Sequence, residues 1–448
     1  MHPETKRMLR TFFPLLAAVA LQQILALTVN LVDNFMLGRY SELAMSGAAL
    51  VNQIQFVLQQ LTAGIGAGVA VLGAQYWGKK QTGPIKKIIG IGLKFALGAG
   101  AVILCVTSLF PAQVLGLLTN DPAIIASAAE YLHIMRWTYL IFAASAVLMY
   151  SLQSVETAFI GMIMSASTIA INITLNSILI YGRLGAPELG IRGAAYATLV
   201  SRSVELITVL VYILFIDKKL KMKLRELLRF DAEYLRDYIH VAFPFLIDGL
   251  MWGVAQAAQT SVLGHISAEA IAANSIASVV FQLFAAFGMS CANAASVVIG
   301  KTIGEGLLDQ VRRHARTLQL IFLCFGIATG LALFLSRNAI VGLYSVSEET
   351  RALTVSFLTV LSISTVGSCY EYPVEGGIIA GGGSTKYAAI VDNCFMWLYT
   401  IPAACLSAFV FHMPPVITFA VLKSDQLLKC IPNSIVCNRF RWIRDLTR

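Results

Sequence analysis

Long apolar segments, separated by short polar connections, recur along the whole chain. In the first half we predict segments at 11–37, 46–75, 86–110, 126–151, 157–182 and 191–216. The second half adds 239–265, 268–299, 313–337, 351–380, 386–411 and a more polar twelfth segment that starts near Pro414 and carries Lys423 and Asp425. A helix of about 20 apolar residues crosses a hydrocarbon core. Because backbone groups must bond internally within lipid, the pattern predicts an all-α integral membrane protein with twelve transmembrane helices.

The two halves of the chain are versions of each other. Residues 37–44 (LGRYSELA) and 263–270 (LGHISAEA) share Leu, Gly, Ser and Ala under a shift of 226 residues, and the same shift aligns Gly78 with Gly304. An internal repeat in an apolar chain is typical of transporters built from two similar bundles. We therefore predict two pseudo-symmetric six-helix bundles. They span 1–216 and 239–448, the latter with a cytoplasmic tail, and a polar cytoplasmic linker at 217–238 joins them.

Composition and charge agree with a membrane protein. Of 448 residues, 57% are hydrophobic and 13% are charged, against about 25% charged in soluble domains. Most Lys and Arg residues fall at the termini and in connections that lie on one side of the predicted topology, so both termini are expected in the cytoplasm. The net charge of +9 then reflects topology and attraction to anionic headgroups rather than nucleic-acid binding.

Enzyme motifs are lacking in the sequence. Gly300-Lys301-Thr302 resembles the end of a phosphate-binding loop, but Ala295 occupies the position of the leading glycine. The chain has no G-x-S-x-G and no H-E-x-x-H motif, and its eight cysteines show no metal-ligand spacing. We therefore expect neither an enzyme nor a cofactor.

Ionisable residues at membrane depth are the candidates for function, because burying a charge in lipid is costly. Arg202 and Glu205 are spaced to pair with each other on one helix. The complete set is Asp33, Arg136, Arg202, Glu205, Asp248, Glu371, Glu375 and Asp392.

The first half offers a candidate site for a coupling cation. Asp33 lies one turn after Asn30 in the first segment, and Asn172 and Asn176 lie one turn apart in the fifth. A buried carboxylate either takes up a proton or stays ionised beside a cation. The alternative is a polar network that only fixes helix packing.

The second half keeps polarity but differs in charge. Under the repeat shift, Asn30 and Asp33 correspond to Gln256 and Gln259, so we expect the cation to bind asymmetrically, in the first half. Acidic groups beside aromatic ones suit a flat organic cation. The candidate substrate-binding residues are Asp248, Trp252, Gln256, Gln259, Glu371, Glu375 and Asp392.

Five short motifs, in this order, resemble those of the multidrug and toxic compound extrusion (MATE) transporters over nearly the whole chain. They are 32–38 (VDNFMLG), 73–78 (GAQYWG), 189–195 (LGIRGAA), 381–385 (GGGST) and 441–446 (RWIRDL). The resemblance implies an antiporter of the bacterial cytoplasmic membrane that exchanges inward Na⁺ or H⁺ for outward organic cations or amphipathic drugs by rocking two bundles. It implies no cofactor other than the coupling ion.

The resemblance also implies roles for individual residues. Asp33 matches the aspartate that binds the coupling cation in the family, with Na⁺ as one candidate. The family often has Asn followed one turn later by Asp in the fifth helix, where this chain has Asn172 and Asn176. The site therefore has one carboxylate fewer, which leaves the choice of ion open. Some members carry a Glu near the position of Trp252, and Asp248 lies one turn away.

Two other functions stay open at this point. A flippase of related architecture for lipid-linked sugars would need a more basic cavity, and only Arg136 and Arg202 are expected to supply positive charge there. A membrane sensor that binds ligands without transport is the other. We expect a monomer that binds small organic molecules within the lipid bilayer.

Overall fold

A computed structural model describes residues 3–228, 232–344 and 346–447, and within these ranges the chain forms helices and no strands. The helices of the first half are α1 (Pro3–Tyr40), α2 (Glu42–Gly78), α3 (Thr82–Leu109), α4 (Pro111–Gly116), α5 (Pro122–Met135), α6 (Thr138–Ser154), α7 (Ala158–Leu179) and α8 (Gly190–Val211). After α9 (Leu224–Leu228), the second half has α10 (Ala232–Gly264), α11 (Ala268–Gly304), α12 (Leu308–Val341), α13 (Glu348–Tyr372), α14 (Thr385–Cys394), α15 (Ile401–Cys405), α16 (Pro415–Leu428) and α17 (Cys430–Arg439).

The predicted membrane segments correspond to these helices. In the described part of the chain, 10 helices are long and apolar enough to span a membrane, and the number is 11 if α5 and α6, bent by 55°, count as one span. The predicted fourth segment is therefore broken rather than straight. The predicted twelfth segment begins at Pro415 as α16, which has 14 residues and is shorter than a helix that spans a membrane.

The internal repeat has a structural counterpart at the start of α2 and α11. Each of these helices has 37 residues and begins after a serine. Ser41 accepts a hydrogen bond from the amide of Ala44, and Ser267 accepts one from Ala270. An N-cap serine satisfies an amide that the helix itself leaves without a partner. The serine shared by the repeated motifs is therefore a helix cap in both halves.

The chain forms two compact units, which we call the N unit (Ala17–Leu246) and the C unit (Met1–Leu16 with Ile247–Arg448). In α1 the change from one unit to the other follows Pro14, and in α10 it follows Pro244. A proline inside a helix removes a backbone hydrogen bond and favours a bend. The division of the chain into bundles that end at 216 and begin at 239 stays a prediction. Residues 232–238, which the sequence analysis placed in the linker, belong to α10.

Irregular helical turns concentrate in the C unit. Wide π-helical turns continue α13, α14 and α15, at Pro373–Ile379, Phe395–Thr400 and Leu406–Val410. Such turns are rare and often lie at functional sites. After the first of them, Gly381 approaches α11 so closely that a Cβ there would lie 2.6 Å from the Cα of Ser296. Gly381 therefore serves close helix packing, as small residues do in membrane bundles.

Candidate functional site

Asp33 lies at the centre of a polar group in the N unit. Asp33 is only 8% exposed, and its Oδ1 accepts a hydrogen bond of 2.5 Å from the Nδ2 of Asn176. The same Nδ2 donates to the Oδ1 of Asn172 at 3.1 Å, and Asn172 in turn donates to the hydroxyl of Thr198 at 3.4 Å. A continuous chain of hydrogen bonds therefore runs from α1 through α7 to α8.

This group has the donor set that a proton or a hard cation needs. Asp33 contributes a buried carboxylate, and the Oδ1 of Asn176 is buried without a hydrogen-bond partner. Oxygen atoms of carboxylates and amides are the usual ligands of hard cations, and an unsatisfied buried acceptor is costly unless something binds it. The side chain of Asn30, the fourth predicted member, lies outside the part of the chain that the structure describes.

A small cavity adjoins the polar group. It is lined by residues of α1, α7 and α8, including Asn172 and Thr198, and has space for about two water molecules. On its α8 side, Arg202 and Glu205 form an ion pair of 2.7 Å, as their spacing predicts. The cavity therefore places a paired charge next to the hydrogen-bond chain that ends at Asp33.

In the C unit, a buried lysine lies among three carboxylates. The Nζ of Lys429 is 2.5 Å from Asp392, 3.2 Å from Glu371 and 3.4 Å from Asp425, and the lysine side chain is 3% exposed. Lys429 connects α16 to α17, while its partners come from α13, α14 and α16. We call these four residues the Lys429 cluster.

Two further carboxylates of the C unit have amide partners. The Nδ2 of Asn393 donates to Asp248 at 3.0 Å, and the Nδ2 of Asn433 donates to Glu375 at 2.5 Å. Asn393 directly follows Asp392 in the chain. Both acids therefore lie beside the Lys429 cluster, and each is held by a neutral donor.

A second buried lysine lies on α16. The Nζ of Lys423 donates to the Oε1 of Gln259 at 3.2 Å and lies 4.7 Å from the ring centre of Phe281. The Nε2 of Gln259 points to the sulfur of Met396 at 3.2 Å. Lys423 is thus held by an amide and an aromatic face, an arrangement that stabilises an ammonium group.

Most of the predicted substrate-binding residues meet at one place. Five of them line a cavity in the C unit together with Lys423 and Lys429, and its free space admits about one water molecule. The other two, Asp248 and Glu375, do not line this cavity and are bonded to Asn393 and Asn433. In this packing the residues surround a site for water or an ion, not for a drug. The five are Trp252, Gln256, Gln259, Glu371 and Asp392.

The two buried lysines correct the sequence analysis. The expectation that only Arg136 and Arg202 provide positive charge at membrane depth was wrong, because Lys423 and Lys429 are 7% and 3% exposed. Asp425, Lys429 and Asn433 follow each other at intervals of four residues, which is the spacing of one helix face. That polar stripe in an otherwise apolar segment was the signal that could have revealed the cluster.

Comparisons with known proteins agree with the fold and the repeat. A family model named MatE matches residues 18–178 and 244–406, two ranges whose starts differ by the same 226 residues as the internal repeat. The chain is 25% identical over 405 residues to the probable multidrug resistance protein YoeA of Bacillus subtilis, covering 87% of this chain and 84% of that protein. It is also 25% identical over 399 residues to the probable multidrug resistance protein NorM of Thermotoga maritima, covering 88% and 84%.

A solved structure shows the same fold. The Vibrio cholerae MATE transporter VcmN in its bent form superposes with a TM-score of 0.87 at 17% identity, over 98% of both chains. Helices of membrane-spanning length, a duplicated unit and buried charged groups in each unit define a multi-span membrane transporter. The chain belongs to the MATE family of multidrug efflux transporters. It is accordingly a transporter and not an enzyme, and the family works without a cofactor.

Proposed function

We propose that the protein is a secondary antiporter that exports organic cations and amphipathic drugs in exchange for Na⁺ or H⁺ moving inward. The hydrogen bond between Asn176 and the buried Asp33 carries this proposal. It joins the one acidic side chain of α1 at membrane depth to an amide whose own oxygen has no partner. A cation or proton that neutralises Asp33 therefore changes the electrostatics of a desolvated group, which is what coupling requires.

The chain of hydrogen bonds from Asp33 to Thr198 transmits the neutralisation of Asp33 to α8. An ionised Asp33 accepts the amide proton of Asn176, whereas a neutralised one binds it more weakly. The amide of Asn176 is then free to rotate, and the hydrogen bonds that link it to Asn172 and Asn172 to Thr198 break or re-form with it. Because Thr198 and Arg202 lie on the same helix and border the same cavity, occupancy at Asp33 is communicated to α8.

We assign the substrate to the acidic and aromatic residues of the C unit. Two relatives are named as multidrug resistance proteins, and organic cations are attracted by carboxylates and by aromatic faces. Asp392 is the most exposed of the acids around Lys429, at 17% of its side chain, and is the first that an entering cation would meet. Substrate binding then requires this part of the C unit to open beyond its present water-sized space.

We further propose that both termini lie on the cytoplasmic side of a bacterial cytoplasmic membrane and that the monomer is the transporting unit. The positive residues of the connections support the orientation. Fusion of a reporter that is active only in the cytoplasm to the C-terminus tests it, with an export-dependent reporter as the opposite case. An active export-dependent reporter would reverse the assignment.

Transport in proteoliposomes tests the antiport. Ethidium movement is followed after imposing a Na⁺ or an H⁺ gradient, for the wild type, Asp33→Asn and Asp309→Asn. We expect one of the gradients to drive transport, and Asp33→Asn to abolish the gradient-driven part. Asp309, whose side chain is 98% exposed, is the matched control and should leave it unchanged. Ethidium binding without gradient-driven movement in the wild type would favour the sensor.

A further inference from the structure

We propose that Lys429 is a tethered cation that keeps alkali-metal ions out of the C unit. Its ammonium group lies within 3.4 Å of Glu371, Asp392 and Asp425, where it occupies the point on which their oxygens converge. This deepens the proposed function, on which it rests, because it names the residue that restricts a coupling Na⁺ to the N unit.

The surroundings of Lys429 hold its ammonium group permanently among the carboxylates. Its side chain is 3% exposed, so the ammonium has little access to water and depends on the carboxylates. It is attached where α16 meets α17, and its Cα is held by the backbone hydrogen bond from its own amide to Asp425, at 2.8 Å. An ion that is part of the chain is present at a high effective concentration, and a free ion of the same charge must compete with it.

The neighbouring acids also have hydrogen-bond partners within the protein. Asn393 donates to Asp248 and Asn433 donates to Glu375, so these flanking acids have partners without any added ion. Lys423, on α16, adds a second positive charge to the wall of the cavity that Lys429 also lines. An alkali-metal ion entering the closed, water-sized cavity would therefore meet two ammonium groups as well as the acids.

The N unit shows the opposite arrangement. Asp33 has an amide partner rather than a cationic one, and an acceptor oxygen of Asn176 next to it is free. Arg202 and Glu205, which border the adjoining cavity, are already paired with each other at 2.7 Å. The buried Oε1 of Glu371 also lacks a hydrogen bond, but it already lies 3.2 Å from the ammonium of Lys429, whereas no cationic group of the chain lies at that distance from the free oxygen of Asn176 among the described ion pairs.

Na⁺ binding to the purified protein, without transport, tests the inference. All measurements use an Asp33→Asn background, which removes the proposed site of the N unit, and choline replaces Na⁺ at constant ionic strength. We expect no saturable Na⁺ binding with Lys429 present. Lys429→Gln should create a saturable site, with apparent Na⁺ affinity raised at least about tenfold, which corresponds to about 1.4 kcal/mol. Lys423→Gln, which changes the other buried lysine of this cavity, is the matched control and should create none.

Two results would overturn the inference. One is saturable Na⁺ binding with Lys429 present that Glu371→Gln abolishes, and the other is a folded Lys429→Gln variant that gains no Na⁺ site. If Lys429→Gln does not fold, Lys429→Gln with Asp425→Asn removes one charge of each sign and is measured instead, with the same two readings. Because binding is measured without a gradient, a failure here is distinct from a failure of the antiport at Asp33.

Discussion

The two units of this duplicated protein neutralise their buried acids in different ways. In the N unit, Asp33 relies on the amide of Asn176. In the C unit, three carboxylates surround the ammonium of Lys429, and the residue that corresponds to Asp33 is Gln259. Helix length and caps survived the duplication, while the polar chemistry diverged. The comparison teaches that a repeated fold need not hold a repeated site. It predicts that the cation at Asp33 exchanges with solution, whereas the cation of the C unit is the side chain of Lys429.

Removing the lysine should have the largest effect on stability. Lys429→Met leaves Glu371, Asp392 and Asp425 without their cation, and breaking a buried ion pair from one side costs about 3–5 kcal/mol. We expect a markedly lower melting temperature of the purified protein, followed by intrinsic fluorescence in detergent. Adding Glu371→Gln should restore part of the loss, because one uncompensated charge is then removed.

Lys423→Met provides the contrast at the other buried lysine of the C unit. Lys423 has an amide and aromatic faces as partners, and methionine has a similar length and suits an aromatic wall. Its effect on unfolding should stay below about 1.5 kcal/mol, as for other volume-conserving changes. Equal losses for the two lysines would contradict the view that Lys429 alone balances the acids.

Removing the amide beside Asp33 should act on transport. Asn176→Leu deprives the carboxylate of its 2.5 Å donor and removes the free acceptor oxygen. A hydrogen bond to a charged group contributes about 1.5–3 kcal/mol, so we expect the gradient-driven ethidium rate to fall about tenfold or more. Asn172→Leu, whose bond to Thr198 is longer at 3.4 Å, should reduce the rate less. The reverse order would place the essential contact at Thr198.

The sequence predicted much of this molecule because its signals are local. The length of the apolar segments predicts the membrane spans, and the repeated Leu-Gly and Ser positions indicate the duplication. The proximity of Asp33 to Asn176 was also accessible, since both are polar residues in apolar helices. The Lys429 cluster was not predicted, because Glu371 and Asp392 are distant from Lys429 in sequence and Lys429 lies in a segment too polar for a typical membrane span. Only tertiary packing shows that Lys429 is neutralised rather than exposed.

Glu205→Gln should have an intermediate effect. The change weakens the 2.7 Å pair with Arg202, but Arg202 is 24% exposed and keeps some contact with solvent. We expect a loss of about 1 kcal/mol in unfolding free energy, the size of a single partly solvated polar interaction. A loss as large as that of Lys429→Met would mean that the N unit also depends on an internal ion pair.

An exposed pair should matter least. Arg192 and Glu130 lie 3.1 Å apart with side chains 58% and 49% exposed. Exposed ion pairs contribute about 0.2–1 kcal/mol, so Glu130→Gln should change the melting temperature only slightly and leave ethidium transport unaltered. A large effect would show that the distance between charges, rather than burial, decides their contribution in this protein.

The most direct test of the central claim compares two activities of Asp33→Asn in the same proteoliposomes. One is ethidium movement driven by a Na⁺ or H⁺ gradient, and the other is exchange of ethidium across the membrane without any ion gradient. We predict that the variant loses the gradient-driven activity and keeps the exchange, because the substitution leaves the proposed substrate site in the C unit intact. Gradient-driven movement that survives in Asp33→Asn would contradict the account and assign coupling to the carboxylates around Lys429.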